Sequence, residues 1–194
     1  MKHLSPSDLM TLEQYARERA SIRARLIAHR ERRRLALGPN CTLSFEDRET
    51  VRYQIQEMLR AERIFEAQGI AEELEVYNPL IPDGSNFKAT LLLEFPDPIE
   101  RARRLAEMRG LERCCWLEVS GCERVLAIAD EDLERENEQK TAAVHFLRYE
   151  LTVAMVAALK GGAALSAGID HPAYSYAAMP VPALLREALL ADLQ

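Results

Sequence analysis

Nothing in the sequence approaches the roughly 18 consecutive apolar residues that a helix needs to cross a bilayer, and the opening MKHLSPSDLM has no apolar core of signal-peptide length. The expectation is a cytoplasmic protein with no membrane partner. Cysteine is sparse: Cys41, Cys114, Cys115 and Cys122 lack paired CxxC spacing, and adjacent cysteines such as Cys114 and Cys115 resist bridging each other. They read as reduced structural thiols. Also missing are a phosphate loop, a dinucleotide fingerprint, a nucleophile elbow and a zincin motif. These absences leave no enzyme class, substrate or required cofactor assigned, with a bound metal ion still open.

What is present argues for one α+β domain spanning residues 1–194. At 48% hydrophobic the chain can bury a substantial core. Ser5-Pro6-Ser7-Asp8 reads as a helix start, and the spacing of Leu12, Tyr15, Ile22 and Leu26 predicts an N-terminal helix over about 6–32. Arg19 and His29 fall in phase with that apolar seam, which suits packing on an acidic neighbour. A hairpin around Gly38-Pro39-Asn40 should follow. Asp47 as N-cap, Gly69 as C-terminal stop, and the stripe Val51, Ile55, Met58 and Phe65 predict one long central helix over 48–68.

Alternation predicts strands at 87–95, 113–119, 124–129 and 141–151, so the sheet-forming part covers about 33–151. Asp97-Pro98-Ile99-Glu100 has the form of a capping box, and short helices are expected at 152–160 and, with Leu184, Leu185, Ala188 and Leu189 inward, at about 182–193. The small-residue stretch from Gly161 to Met179 shows no clear period. The expected architecture is an antiparallel sheet of about five or six strands, packed against the central helix and flanked by the terminal ones.

Two charge features point to partners. Residues 16–34 hold eight arginines against Glu18 and Glu31, a local +6, so the remainder carries −12 of the net −6. Residues 130–138, DEDLERENE, carry six acids and one arginine. Arg19, Arg32, Arg33 and Arg34 on one side, with Asp130, Glu131 and Asp132 on the other, are the candidate partner-binding residues, and the asymmetry favours a homodimer. The arginine cluster also raises a nucleic-acid reading, but no stacking aromatics or recognisable helix-turn-helix accompany it.

Candidate chemistry centres on Glu62, which returns to the apolar stripe of the central helix, and on His145, His171, Tyr174 and Asp170. A histidine beside an acid and near a tyrosine can serve as a base or ligate a metal. The same Asp170-His171-Pro172-Ala173-Tyr174 run is also a plain turn. If a metal or acid/base centre exists, Glu62, His145 and His171 are its candidates.

The blocks ALGPNCTLSFEDRETVRYQIQEMLRAERIFE, EELEVYNPLIPDGSNFKATLLLEF, IADEDLERENEQKTAAVHFLRYEL and GIDHPAY together resemble the uncharacterised bacterial family known as domain of unknown function 3501. The resemblance spans nearly the whole chain. It implies a small soluble protein encoded beside rubrerythrin and iron–sulfur oxidoreductase genes, hence an accessory role in redox or oxidative-stress handling. It carries over no site residues.

Overall fold

In the computed structural model, residues 2–129 and 141–194 are described. The acidic candidates Asp130, Glu131 and Asp132 lie outside the described residues. The chain is α+β, as the alternation of periods predicts, but its strands divide between two antiparallel sheets. The first joins β1 (Arg34–Leu37), β2 (Cys41–Phe45), β3 (Asn86–Leu93), β7 (Val144–Glu150) and β6 (Ile128–Ala129), in that order. The second joins β5 (Val125–Leu126), β4 (Cys115–Val119), β8 (Leu165–His171) and β9 (Tyr174–Ala178).

The two sheets meet along both margins. At one, β5 and β6 are a single path interrupted by Ala127, whose amide still donates to Cys115 O at 2.8 Å. At the other, Tyr174 closes the gap between β1 and β9: its hydroxyl donates to Leu37 O at 2.7 Å and accepts from Asn40 N at 3.0 Å. Between the sheets lies the main core, with Leu43, Leu91, Tyr149, Leu117 and Ile169 fully buried. Alternation is clean on β7, where His145, Leu147 and Tyr149 are buried and the residues between them are half-buried.

The sheet-forming part therefore runs to residue 178 rather than 151. Strand β8 lacks a strong apolar signature because it must be thin where it crosses Trp116, and β9 because it is an edge strand with Ser175, Tyr176 and Ala177 exposed. At Gly168 an added Cβ would stand 2.4 Å from the Trp116 ring.

The expected central helix is two helices. Helix α2 (Arg48–Ala61) begins as predicted, Asp47 accepting from Glu49 N and Thr50 N. It stops at Glu62 because Arg63 takes a left-handed φ of 55° and Ile64 N donates back to Leu59 O at 2.9 Å, the closure of a Schellman turn made without glycine. Gly69 is not the stop. It lies inside α3 (Ala67–Tyr77), where a Cβ would meet Ile64 at 2.7 Å, so its role is close packing of the corner. Phe65, expected on the buried stripe, is 66% exposed.

Nor does α2 cover a sheet. Val51, Ile55 and Leu59 share a second core with Leu4, Leu74 and Ile81, and no strand contributes to it. The N-terminal helix is also shorter than expected: Pro6–Asp8 forms a single 3-10 turn, and α1 (Leu12–Glu31) starts afresh with Thr11 accepting from Gln14 N. Helices α4 (Pro98–Glu107), α5 (Val153–Lys160) and α6 (Ala183–Leu190) complete the described α-helices, with further 3-10 turns at Asn78–Leu80 and Leu111–Cys114. Asp97 accepts from Glu100 N at the head of α4. On α6, Leu185 and Leu189 are buried, whereas Leu184, expected inward, is 58% exposed.

Candidate functional site: the arginines of the first helix

Helix α1 touches the rest of the molecule along one seam, and its two basic members meet acids. Tyr15 and Leu26 are buried and Leu12, Arg19, Ile22 and His29 half-buried, while most other positions are exposed. Arg19 forks onto Glu57 of α2 through Nε and Nη2, both at 2.7 Å, and the Tyr15 hydroxyl donates to the same carboxylate at 2.7 Å. The Arg19 hydrogen bond is the main cause holding the Glu57 carboxyl down at about 2. His29 Nε2 lies 2.6 Å from Asp47 Oδ2, the N-cap of α2.

Arg33, four residues on, is the hinge between the helical layer and the sheets. It is 2% exposed, and its side chain donates to the carbonyls of Phe45, Glu46 and Ala188. Its guanidinium also pairs with Asp192 and, at 3.4 Å, with Asp47. Burial of this kind is affordable only because every donor has a partner. Arg33, expected at a partner surface, is thus an internal structural cation, and Arg19, also expected there, is half-buried and engaged by Glu57.

The other arginines are not committed in this way. Arg17 pairs with Glu13 and Arg30 stacks over the Tyr53 ring at 5.7 Å. Arg23, Arg25, Arg32 and Arg34 are exposed, and none of them makes an ion pair among the described residues. Helical phase marks Arg19 as a seam residue, but nothing in the sequence marks Arg33, which lies beyond the helix and is buried by distant partners.

A shallow cleft of about 50 Å³ opens where α1 crosses α2. Tyr15, Ile22, Leu26 and Tyr53 line it together with Arg25, Arg52, Glu49 and Asp8. Asp8 is already engaged by Arg48 Nη2 at 2.6 Å, which holds its carboxyl well below the usual range. Gln56 clamps the entry by accepting from Met10 N at 2.6 Å.

The residues expected to gather into a metal or acid/base centre do not gather. Glu62 is exposed at the C-cap of α2, beyond Leu59, the last residue that the helix gives to the second core. His171 closes β8, and both its ring nitrogens are occupied: Nε2 donates to Arg109 O at 3.0 Å and Nδ1 accepts from Ala173 N at 3.2 Å. His171 and Tyr174 pair across the β8–β9 hairpin, so this run is a turn. Asp170 is exposed and accepts from Arg124, which lies 3.8 Å over the Trp116 ring. Tyr174 is a structural hydroxyl, and burial raises its pKa.

His145 is 0% exposed on β7, inside the first sheet. Its Nε2 lies 3.0 Å from Ala142 O, 2.9 Å from Thr141 Oγ1 and 4.0 Å from the buried Glu112. Sequence reasoning missed Glu112, which sits on a 3-10 turn with no periodicity to mark it. Among the described residues, no group of three or more His, Cys, Asp or Glu is placed to hold a metal ion. Burial pushes the Cys41 thiol up to about 11 and that of Cys115 well above its ordinary value, so both stay protonated at neutral pH. Among the described residues, no helix is long and apolar enough to cross a membrane.

A comparison with curated proteins finds no match. Among solved structures, the chain is similar to a novel protein of unknown function from Burkholderia pseudomallei K96243, whose crystal structure was determined at 1.90 Å. The two are 48% identical, with a TM-score of 0.94 and 100% of each chain covered. The family model described as protein of unknown function (DUF3501) matches residues 3–193, and the chain belongs to that family.

Proposed function

We propose that the protein is a cytoplasmic accessory module that acts as a homodimer and docks an acidic protein partner on the arginine-rich end of α1. The observation that carries this reading is the contrast among the arginines. Arg33 is neutralised inside the fold and Arg19 on its half-buried seam, whereas Arg23, Arg32 and Arg34 reach solvent with no acid engaged among the described residues. Uncompensated cations on an otherwise acidic protein steer an acidic surface to one place and disfavour other orientations. The gene setting that the family resemblance implies supplies the class of partner: a rubrerythrin or an iron–sulfur oxidoreductase, in a redox or oxidative-stress system.

The test is calorimetric titration of the purified protein with the rubrerythrin and the iron–sulfur oxidoreductase of the same organism. Binding to one of them should weaken as salt rises, and by at least tenfold in R32E/R34E, with unfolding unchanged. No heat with either protein, or an unaltered affinity in the variant, overturns the reading.

A second reading has one observation in its favour, the burial of Glu112 and His145 within 4.0 Å of each other. It predicts stoichiometric metal in protein purified without chelator, lost in E112Q. Metal-free protein counts against it.

A further inference from the structure

We propose that two copies of the chain pair through α2, the corner that follows α2 in one copy seating in the α1–α2 cleft of the other. This rests on the homodimer reading above and assigns its surface. The corner is built to project. Arg63 at φ 55° and the bond from Ile64 N to Leu59 O turn Ile64 inward against the second core and leave Phe65 outward, 66% exposed. Glu62 and Glu66, both exposed, flank that ring, and neither forms an ion pair among the described residues. An aromatic side chain held out by an over-determined backbone is the usual anchor of an interface, and left in water it is a liability.

The cleft has the complementary composition. Its walls are the apolar and aromatic surfaces of Tyr15, Ile22, Leu26 and Tyr53, and its rim carries Arg25 and Arg52, both exposed and without an ion pair among the described residues. Of the two acids there, Asp8 is neutralised by Arg48, which leaves Glu49, and the incoming corner brings Arg63 to offset it. An acid-flanked phenyl ring thus meets an arginine-rimmed apolar slot.

Position along α2 makes the contact reciprocal. The cleft residues Glu49, Arg52, Tyr53 and Gln56 occupy the first part of α2, and the corner follows its last residue. Two antiparallel α2 helices related by a two-fold axis bring each corner to the other's cleft, so one contact is made twice and the assembly closes at two.

The experiment is sedimentation equilibrium on the full chain, comparing wild type with F65S, R25E/R52E and E62R/E66R. All five side chains are exposed, and circular dichroism verifies that each variant folds. Wild type should be dimeric at about 100 µM, and each variant should dissociate at least tenfold more readily. An equimolar mixture of R25E/R52E with E62R/E66R should regain wild-type affinity, because both contacts of the mixed dimer again join opposite charges. A dimer indifferent to F65S, or a mixture that stays monomeric, overturns this surface while the homodimer reading stands. Monomeric wild type overturns both.

Discussion

Asp47 and Asp192 share the guanidinium of Arg33, and two identical side chains are driven in opposite directions there. Burial would raise Asp47, but Arg33, the Thr50 amide and His29 outweigh it and hold the carboxyl below its ordinary value. Burial raises Asp192 to about 6 in spite of Arg33. Two carboxylates face one fixed cation, so these three groups sum to zero charge only when Asp192 carries a proton. Through it the N-cap of α2, the end of β2 and the C-terminal turn are tied together.

Removing the cation should be severe. Arg33→Met leaves the buried Asp192 without its cation, weakens the neutralisation of Asp47 and strips the Arg33 donors from three carbonyls, and should cost about 3–5 kcal/mol of unfolding free energy in urea at pH 7. A loss under 1 kcal/mol would mean that the cluster is not what joins the helices to the sheets.

The pH dependence has a definite sign. Asp192 has a folded pKa above its ordinary 3.8, so its contribution to stability is fully present below that value and is lost as pH rises through about 6. The loss is worth roughly 3 kcal/mol at about 1.4 kcal/mol per pKa unit. Asp192→Asn removes the titration. Urea unfolding of both proteins between pH 4 and 7 should therefore shift in favour of the variant as pH rises, and a constant difference would show that Asp192 does not titrate in this window.

The margin between β1 and β9 depends on one hydroxyl. Tyr174→Phe strips the donor from Leu37 O and the acceptor from Asn40 N, and should cost about 1–3 kcal/mol. Amide exchange should accelerate at Asn40 and along β1 and β9 before it does so in β3. Uniform acceleration would point to general destabilisation instead.

Gly168 faces the Trp116 ring too closely for any side chain. Gly168→Ala should cost about 1–3 kcal/mol and alter tryptophan emission, since the ring must leave its place under Arg124. Unchanged emission would show that the backbone, not the indole, gives way.

Local periodicity made the hairpin 34–45, strands β3 and β7 and helix α5 legible, because each alternation or cap is complete within a few residues. The basic members of the α1 seam were legible for the same reason, and each found its acid. What failed depended on distant partners. Arg63 ends α2 without the glycine that normally marks such a turn, and Gly69 is small to admit Ile64. The division into two sheets hinges on Ala127, which no pattern distinguishes. Glu62 keeps helical φ and ψ as the C-cap of α2, but the second core takes only Val51, Ile55 and Leu59 from that helix, so the carboxylate lies beyond the packed surface, in water.

In the proposed docking, Arg32 and Arg34 at the end of α1 meet the partner while Arg33 between them serves the fold. Amide-exchange mass spectrometry of the protein with and without the proposed partner tests that contact directly. Protection confined to about residues 20–36 is the predicted footprint. Protection instead at Glu112, Thr141 and His145, with residues 20–36 unchanged, would contradict it and move the function to the buried acid–histidine pair.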